Sequence, residues 1–260
     1  MTSRFFVPPE QIHQDHFVIV GSEARHAALV LRKKVGDTID LFDGKDLSYQ
    51  GRIEIISHDR VEGAVLSQGK SDTLLSIELT LYQALIKGPK WDWLVEKACE
   101  IGVTKLVPIL SARTIVKPSK SEANERWQRI ALAASKQSGR SRVMDIGGVL
   151  PFDEALPAAG SEGLWLIPWE KESKQTIRQA VLSSPAVAGR GSMDPRQGHS
   201  GMTSHVSLFI GPEGGWEPQE VDLAVRHGVI PVRLGPTLLR SDTAGIVASS
   251  LVLSECGVYS

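Results

Sequence analysis

The sequence predicts an α/β protein in which a mostly parallel sheet fills the C-terminal two thirds and a small β-barrel precedes it. Three observations predict this. Residues 1–72 hold several short alternating runs and an Asp-Gly turn. From residue 73 onward, apolar strand-like runs alternate with amphipathic helical stretches. A chain of 260 residues, 42% hydrophobic and 23% charged, can bury the core of one large domain or two modest ones.

The elements follow from local pattern. Val18-Ile19-Val20 is a short apolar run, and Ser22 to Lys34 has helical spacing that Gly36 ends. Thr38 to Phe42 alternates into Asp43-Gly44, a hairpin signal, and Tyr49 to Ile56 alternates back, with Arg60 to Leu66 as a further strand. After Asp72 the rhythm changes. Leu79–Ile86, Lys105–Leu110, Val143–Val149, Leu164–Ile167, Val206–Ile210 and Ile230–Leu234 read as strands. Helices are expected at Lys90–Ile101, Ser121–Ser138, Glu172–Leu182, Glu217–His227 and Ser241–Leu253. Residues 183–205 are rich in Gly, Ser and Pro without periodicity and read as a flexible surface loop.

Net charge is −1, so charge as a whole points to neither nucleic acid nor membrane. Residues 87–142 differ: twelve Lys and Arg stand against five Asp and Glu, leaving +7. That excess reads either as solvated helix faces or as a footprint for phosphate. Cys99 and Cys256 have no metal-ligand spacing and read as small buried hydrophobes in a reducing compartment, and no metal is expected. The N-terminus lacks a signal-peptide pattern and no window is apolar enough to span a bilayer, so a cytoplasmic protein is expected.

Three turns that follow strands carry the chemistry: Ile167-Pro168-Trp169-Glu170, Gly211-Pro212-Glu213-Gly214-Gly215-Trp216, and Leu234 through Ala244. In open α/β sheets, ligands bind beyond the C-terminal strand ends, where such turns converge. The glycines let backbone approach a ligand closely. Neither G-x-x-x-x-G-K-[ST] nor G-x-G-x-x-G is present, and Glu213 would repel phosphate but tolerate a sulfonium cation. Taken alone, Gly211–Gly215 reads first as a plain strand-to-helix turn, and it points to a ligand only in company with the third turn. Ser241-Asp242-Thr243 could simply cap the last helix. Arg240 is either a surface charge or a guide for RNA.

Arg4-Phe5-Phe6-Val7, His26-(x4)-Leu31-Arg32, Gly36-Asp37, Phe42-Asp43-Gly44, Glu96-Lys97-(x2)-Glu100-Ile101-Gly102, Pro108, Gln137-Ser138-(x)-Arg140, Pro168-Trp169-Glu170, Gly211-Pro212-Glu213-Gly214-Gly215 and Leu234-Gly235-(x3)-Leu239-Arg240 occur in this order. The ordered set resembles the RsmE-like small-subunit rRNA uridine-N3 methyltransferases of the SPOUT class. That resemblance implies a deep trefoil knot in the C-terminal α/β domain and a PUA-like N-terminal barrel that helps hold RNA. It also implies a homodimer, S-adenosylmethionine as cofactor, and methylation of uridine N3 in small-subunit (16S) ribosomal RNA, within an assembled subunit. Thr237 stands where an arginine is common, Leu238 replaces an isoleucine, Ser241-Asp242 replaces Thr-Glu, and Lys136 replaces a glutamate.

On this reading Ile167, Pro168, Ile210, Gly211, Pro212, Gly215, Leu234, Gly235 and Leu239 hold the cofactor. Arg240 orients the uridine, and Asp242 or Glu213 assists loss of the N3 proton. The base must be unpaired or flipped out. Arg4, His26, Arg32, Arg113, Gln137 and Arg140 are the RNA-contact candidates, with His26 as readily a packed helix-face residue. Trp169 and Trp216 flank the turns and read as packing. The alternatives are a SPOUT enzyme acting on a ribose 2′-oxygen or on tRNA, an RNA-binding ribosome-assembly module without activity, and a nucleotide-binding enzyme. The missing lysine and the presence of Glu213 argue against the last.

Overall fold

The computed structural model describes residues 4–13, 15–71, 75, 77–116, 122–160, 162–187 and 204–259. The chain forms two compact units, residues 1–74 with 132–143, and residues 75–131 with 144–260.

The first unit contains β1 (Arg4–Phe6), β2 (His16–Val20), α1 (Ser22–Arg25), β3 (Thr38–Phe42), β4 (Leu47–Ile56) and β5 (Arg60–Lys70). They form one five-stranded sheet in the order β1-β3-β4-β5-β2, parallel between β1 and β3 and antiparallel elsewhere. Period-2 alternation places Ile39, Leu41, Ile53 and Val61 on one face, where they pack with Phe5, Phe17 and Ile19. Gly63 is required there: a Cβ would collide with the Arg52 carbonyl and meet the Phe17 ring at 2.9 Å.

Asp43-Gly44 does turn the chain from β3 into β4, through residues 43–46. The buried Asp43 carboxylate accepts from the amides of Lys45 (2.8 Å), Asp46 (3.1 Å) and Leu47 (3.1 Å). The helix expected over 22–34 is shorter. After α1 it widens into a π-turn over His26–Val30, with the Leu31 amide bonded to the His26 carbonyl, and Arg32 then takes φ 51°.

Residues 132–143 join this unit rather than the parallel sheet, and long side chains explain why. Arg4 donates to the Gly139 carbonyl, to Ser48 Oγ (3.1 Å) and to Ser141 Oγ (2.6 Å). Lys136 Nζ lies 2.7 and 2.8 Å from the two carboxylate oxygens of Glu23. Arg142 grips Asp46 through two nitrogens, at 2.9 and 2.6 Å.

The second unit contains β6 (Ile77–Ala84), α2 (Pro89–Glu100), β7 (Lys105–Leu110), the first part of α3 (Glu122–Gln137), β8 (Asp145–Ile146), β9 (Leu150–Pro151) and α4 (Phe152–Ala158). After these come β10 (Leu164–Pro168), α5 (Ile177–Ser183), β11 (Ser204–Ile210), α6 (Pro218–Arg226), β12 (Ile230–Val232) and α7 (Ser241–Glu255). Every strand pair is parallel, in the order β12-β10-β11-β6-β7-β8, with β9 also on β7. Parallel strands covered on both faces need nearly continuous apolar runs. β11 meets that need: only His205 is exposed along it. Tyr82 stacks on Phe209 at 4.6 Å, and Phe152 packs against Phe209 and Trp216.

The order of the strands sets the path of the C-terminal segment. β12 lies at one edge of the sheet, yet α7 packs against β6 and β11 in its middle, and against α2 and α5. Residues 233–240 therefore carry the chain from the edge back to the centre.

Several expected boundaries shift. The strand expected over 143–149 splits into β8 and β9, since Gly147 and Gly148 interrupt it and a Cβ on Gly147 would press Val107 at 3.1 Å. α5 starts only at Ile177. Thr176 caps it, with the Gln179 amide donating to Thr176 Oγ1 at 3.2 Å and Gln179 Oε1 accepting from the Thr176 amide at 2.9 Å. The strand expected to reach Leu234 ends at Val232, and α4, which carries an internal Pro157, had no expectation. Of the loop expected over 183–205, residues 188–203 lie outside the described residues, and Ser204 and His205 belong to β11. Among the described residues no helix is long and apolar enough to cross a membrane. Cys99 is buried, with its Sγ 3.4 Å from the Ala131 carbonyl, and Cys256 is half-buried.

Candidate active site

The turns after β10, β11 and β12 surround one cavity of about 400 Å³. That size suits a single small organic ligand. Eight of the nine residues expected to hold a cofactor line it: Pro168, Ile210, Gly211, Pro212, Gly215, Leu234, Gly235 and Leu239. Ile167 does not. It is fully buried in the core beside Phe209 and Trp216, because the side chain before the turn points into the sheet packing.

Glycine and proline turns make up much of the lining, and local sequence dictates their shape. Pro212 to Gly215 closes as a turn, with the Gly215 amide donating to the Pro212 carbonyl at 3.0 Å and Gly215 at φ 71°. Gly211 rests on the Trp216 indole: a Cβ would lie 3.1 Å from it. Trp216 itself is 3% exposed and forms both a cavity wall and part of the core.

The turn before α7 is tied to the one after β11 by a buried relay. Ser241 Oγ donates to the Gly211 carbonyl at 2.5 Å and accepts from Gln83 Nε2 at 2.9 Å. Gln83 is fully buried on β6, and its Oε1 has no hydrogen-bond partner. Sequence reasoning passed over Gln83, although a polar residue inside Leu81-Tyr82-Gln83-Ala84-Leu85 was a visible signal.

Charge in the cavity is predominantly negative. Glu170, Glu172 and Glu213 line it, against Arg233 alone among basic residues. Glu172 and Arg233 also escaped the sequence reading. The Glu172 carboxylate accepts from the amides of Lys174 (2.6 Å) and Gln175 (3.0 Å). Those backbone hydrogen bonds, Gln175 first, hold its carboxyl below the ordinary glutamate range. This support is complete above the usual glutamate value and is lost as pH falls through the lowered one. The protection of the Lys174 and Gln175 amides, taken relative to their intrinsic exchange rates at each pH, should therefore fall on acidification. Glu172→Gln should show weak protection with no such pH dependence, and protection equal to the wild type's in the variant would contradict this.

The remaining expected residues are distributed differently. Glu213 lines the cavity and is exposed. Arg240 sits at the start of α7, exposed, with its carbonyl accepting from the Ala244 amide at 2.7 Å, and Asp242 is in the first turn, half-buried. Neither lines the cavity.

The expected RNA contacts divide into two groups. His26, Arg32 and Gln137 are exposed in the first unit, His26 with its ring edge-on to Phe5 at 6.3 Å. Arg4 and Arg140 are not free surface cations. Arg4 is committed to the 139–141 segment, with burial lowering its pKa, and Arg140 is only 7% exposed. Arg113 donates to Gly214 and Glu217 in the second unit.

Several cations of the +7 stretch are paired as well, three of them with acids outside it. Lys97 pairs with Glu96 and Glu100, Lys105 with Asp145, Arg126 with Asp92, Lys136 with Glu23 and Arg142 with Asp46. Lys117 and Lys120 lie outside the described residues. Among the described residues no group of three or more His, Cys, Asp and Glu could hold a metal ion.

Comparison with known proteins identifies the family. The RNA methyltransferase domain family matches residues 73–253, and the RNA methyltransferase PUA domain family matches residues 19–66. A Synechocystis protein named ribosomal RNA small subunit methyltransferase E is 30% identical over 95% of this chain and 76% of its own. The Bacillus subtilis protein of that name is 28% identical, over 91% of this chain and 89% of its own. A crystal structure of the Neisseria gonorrhoeae protein of that name, bound to S-adenosylmethionine, superimposes with a TM-score of 0.80 at 28% identity and covers 98% of both chains. The expected SPOUT architecture with a PUA-like N-terminal unit holds.

Proposed function

The chain belongs to the ribosomal RNA small subunit methyltransferase E family, and from that premise we propose that it methylates N3 of a uridine in small-subunit (16S) rRNA with S-adenosylmethionine. The observation that carries the proposal is the meeting of three backbone-rich turns around one acidic cavity. The residues present fit the cofactor. Three carboxylates against one arginine suit a sulfonium and oppose a phosphate-bearing ligand. Glycine at 211, 214, 215 and 235 carries no side chain, so an adenosine and an amino-acid group can approach the chain closely there.

When bound, S-adenosylmethionine supplies an electrophilic methyl group. The protein's own residues do the rest. Gly211, Gly215, Leu234, Gly235 and Leu239 hold the donor through the chain, and the buried Trp216 keeps water from beneath the Gly211 turn. Arg240, exposed just before Ser241, orients the uridine carbonyls. Transfer to N3 would break the sulfonium's S–C bond to leave a neutral thioether, and the N3 proton would pass to a carboxylate. Glu213 is better placed than Asp242, because Glu213 lines the cavity and Asp242 is drawn into the first turn of α7.

His26, Arg32 and Gln137 are the RNA contacts that remain available on this reading. Assembly as a homodimer, action on an assembled small subunit and a cytoplasmic location belong to the same proposal. The deciding experiment is mass spectrometry of small-subunit rRNA from cells lacking the protein. Loss of 3-methyluridine is expected, and an unchanged modification map would remove the assignment.

A further inference from the structure

Arg113 was expected on an RNA-binding face, yet its guanidinium is turned toward the cavity wall. Nε donates to Glu217 Oε1 at 2.7 Å and Nη1 donates to the Gly214 carbonyl at 2.8 Å. Arg113 follows β7 and does not line the cavity, whereas Gly214 does. The neighbouring Ala112 amide donates to Glu220 Oε1 at 2.8 Å, and Glu220 Oε2 accepts from the Glu217 amide at 2.9 Å. Ser111 and Thr114 close the turn that presents both donors, with the Ser111 amide and hydroxyl each 2.9 Å from Thr114 Oγ1. A Cβ on Gly214 would come within 3.3 Å of Arg113 Cβ, so the two turns are in contact as well as hydrogen-bonded.

We propose that Arg113 is a positioning residue for the proposed methyl transfer: it fixes the glycine turn after β11, and so shapes the cofactor cavity from outside. Exposed ion pairs add little to global stability. The consequence is therefore local. The turn has flexible glycines at 214 and 215, and of its backbone carbonyls Gly214 is held by Arg113 and Gly211 by Ser241. Without Arg113 the Gly214 carbonyl loses this charged donor, and the turn samples conformations that do not fit the cofactor. The inference rests on the proposed methyl-transfer function but makes its own demand, that Arg113 serves cofactor rather than RNA affinity.

The test uses the full-length chain and its Arg113→Ala and Arg113→Lys variants. Calorimetry with S-adenosylmethionine should show binding about five- to tenfold weaker in R113A, less than the full worth of a hydrogen bond from a charged donor because Arg113 is exposed and acts from outside the cavity. R113K should recover part of it, because an ammonium can reach one acceptor but not fork to both. RNA affinity and melting temperature should stay near those of the wild type. Hydrogen exchange of the amides at 213–216 should quicken in R113A without any ligand. Unchanged exchange and unchanged cofactor affinity would overturn the inference, as would a loss confined to RNA affinity. If the wild type itself gives no heat with S-adenosylmethionine, the methyl-transfer reading fails, and the exchange measurement still decides whether Arg113 orders the turn.

Discussion

Trp216→Ala should lower the unfolding free energy by about 3–5 kcal/mol, the range for truncating a buried aromatic. The loss is one of packing. Trp216 is 3% exposed, its ring lies 4.7 Å from that of Phe152, and its indole nitrogen has no hydrogen-bond partner. No polar contact is lost, so the whole cost comes from transferred surface and the cavity left behind. The same ring seats Gly211, so binding of S-adenosylmethionine should fall as well. Urea unfolding followed by calorimetry at a temperature where the variant is still folded would separate the two effects. A midpoint within error of the wild type would show that the indole is dispensable to the core.

Ser241→Ala should have the second largest effect, and a different one. The hydroxyl is both donor to Gly211 and acceptor from Gln83, all within a buried region. Alanine fits the space but leaves the Gly211 carbonyl unpartnered and returns Gln83 Nε2 to its longer contact with the Ala84 carbonyl, 3.3 Å away. Stranding buried polar groups costs about 1–3 kcal/mol. Because the relay joins the turns on either side of the cavity, cofactor affinity should drop about tenfold if roughly 1.4 kcal/mol of that is felt on binding. Ser241→Ala with unaltered affinity would mean the turns hold their places independently.

Much of the second unit could be read from pattern, and the reasons are physical. β7 runs from Lys105 to Leu110 as expected, and α2, α6 and α7 start within one residue of their expected positions, because Pro89, Pro218 and Ser241 are strong local start signals. The three turns were visible because each follows an apolar run and carries Gly or Pro. What was hidden depended on contacts distant in sequence. Nothing near Arg113 points to Glu217 or Gly214, and nothing near Arg4 points to Gly139 and Ser141. Counting cations over 87–142 suggested a phosphate footprint, while the structure pairs most of those described with carboxylates, several of them outside the segment. The burial of the Ile167 side chain follows from its place on β10, because a strand residue one step before a turn still faces the core.

The return of the chain from edge to centre also orders events in time. Gln83 and Ser241 lie 158 residues apart, and the cavity is lined up to Ala244. A ribosome making this protein must release the chain through Ala244 before the last wall can be set in place. A nascent or prematurely stopped chain lacks that wall, and acquires donor-binding capacity only when its tail arrives.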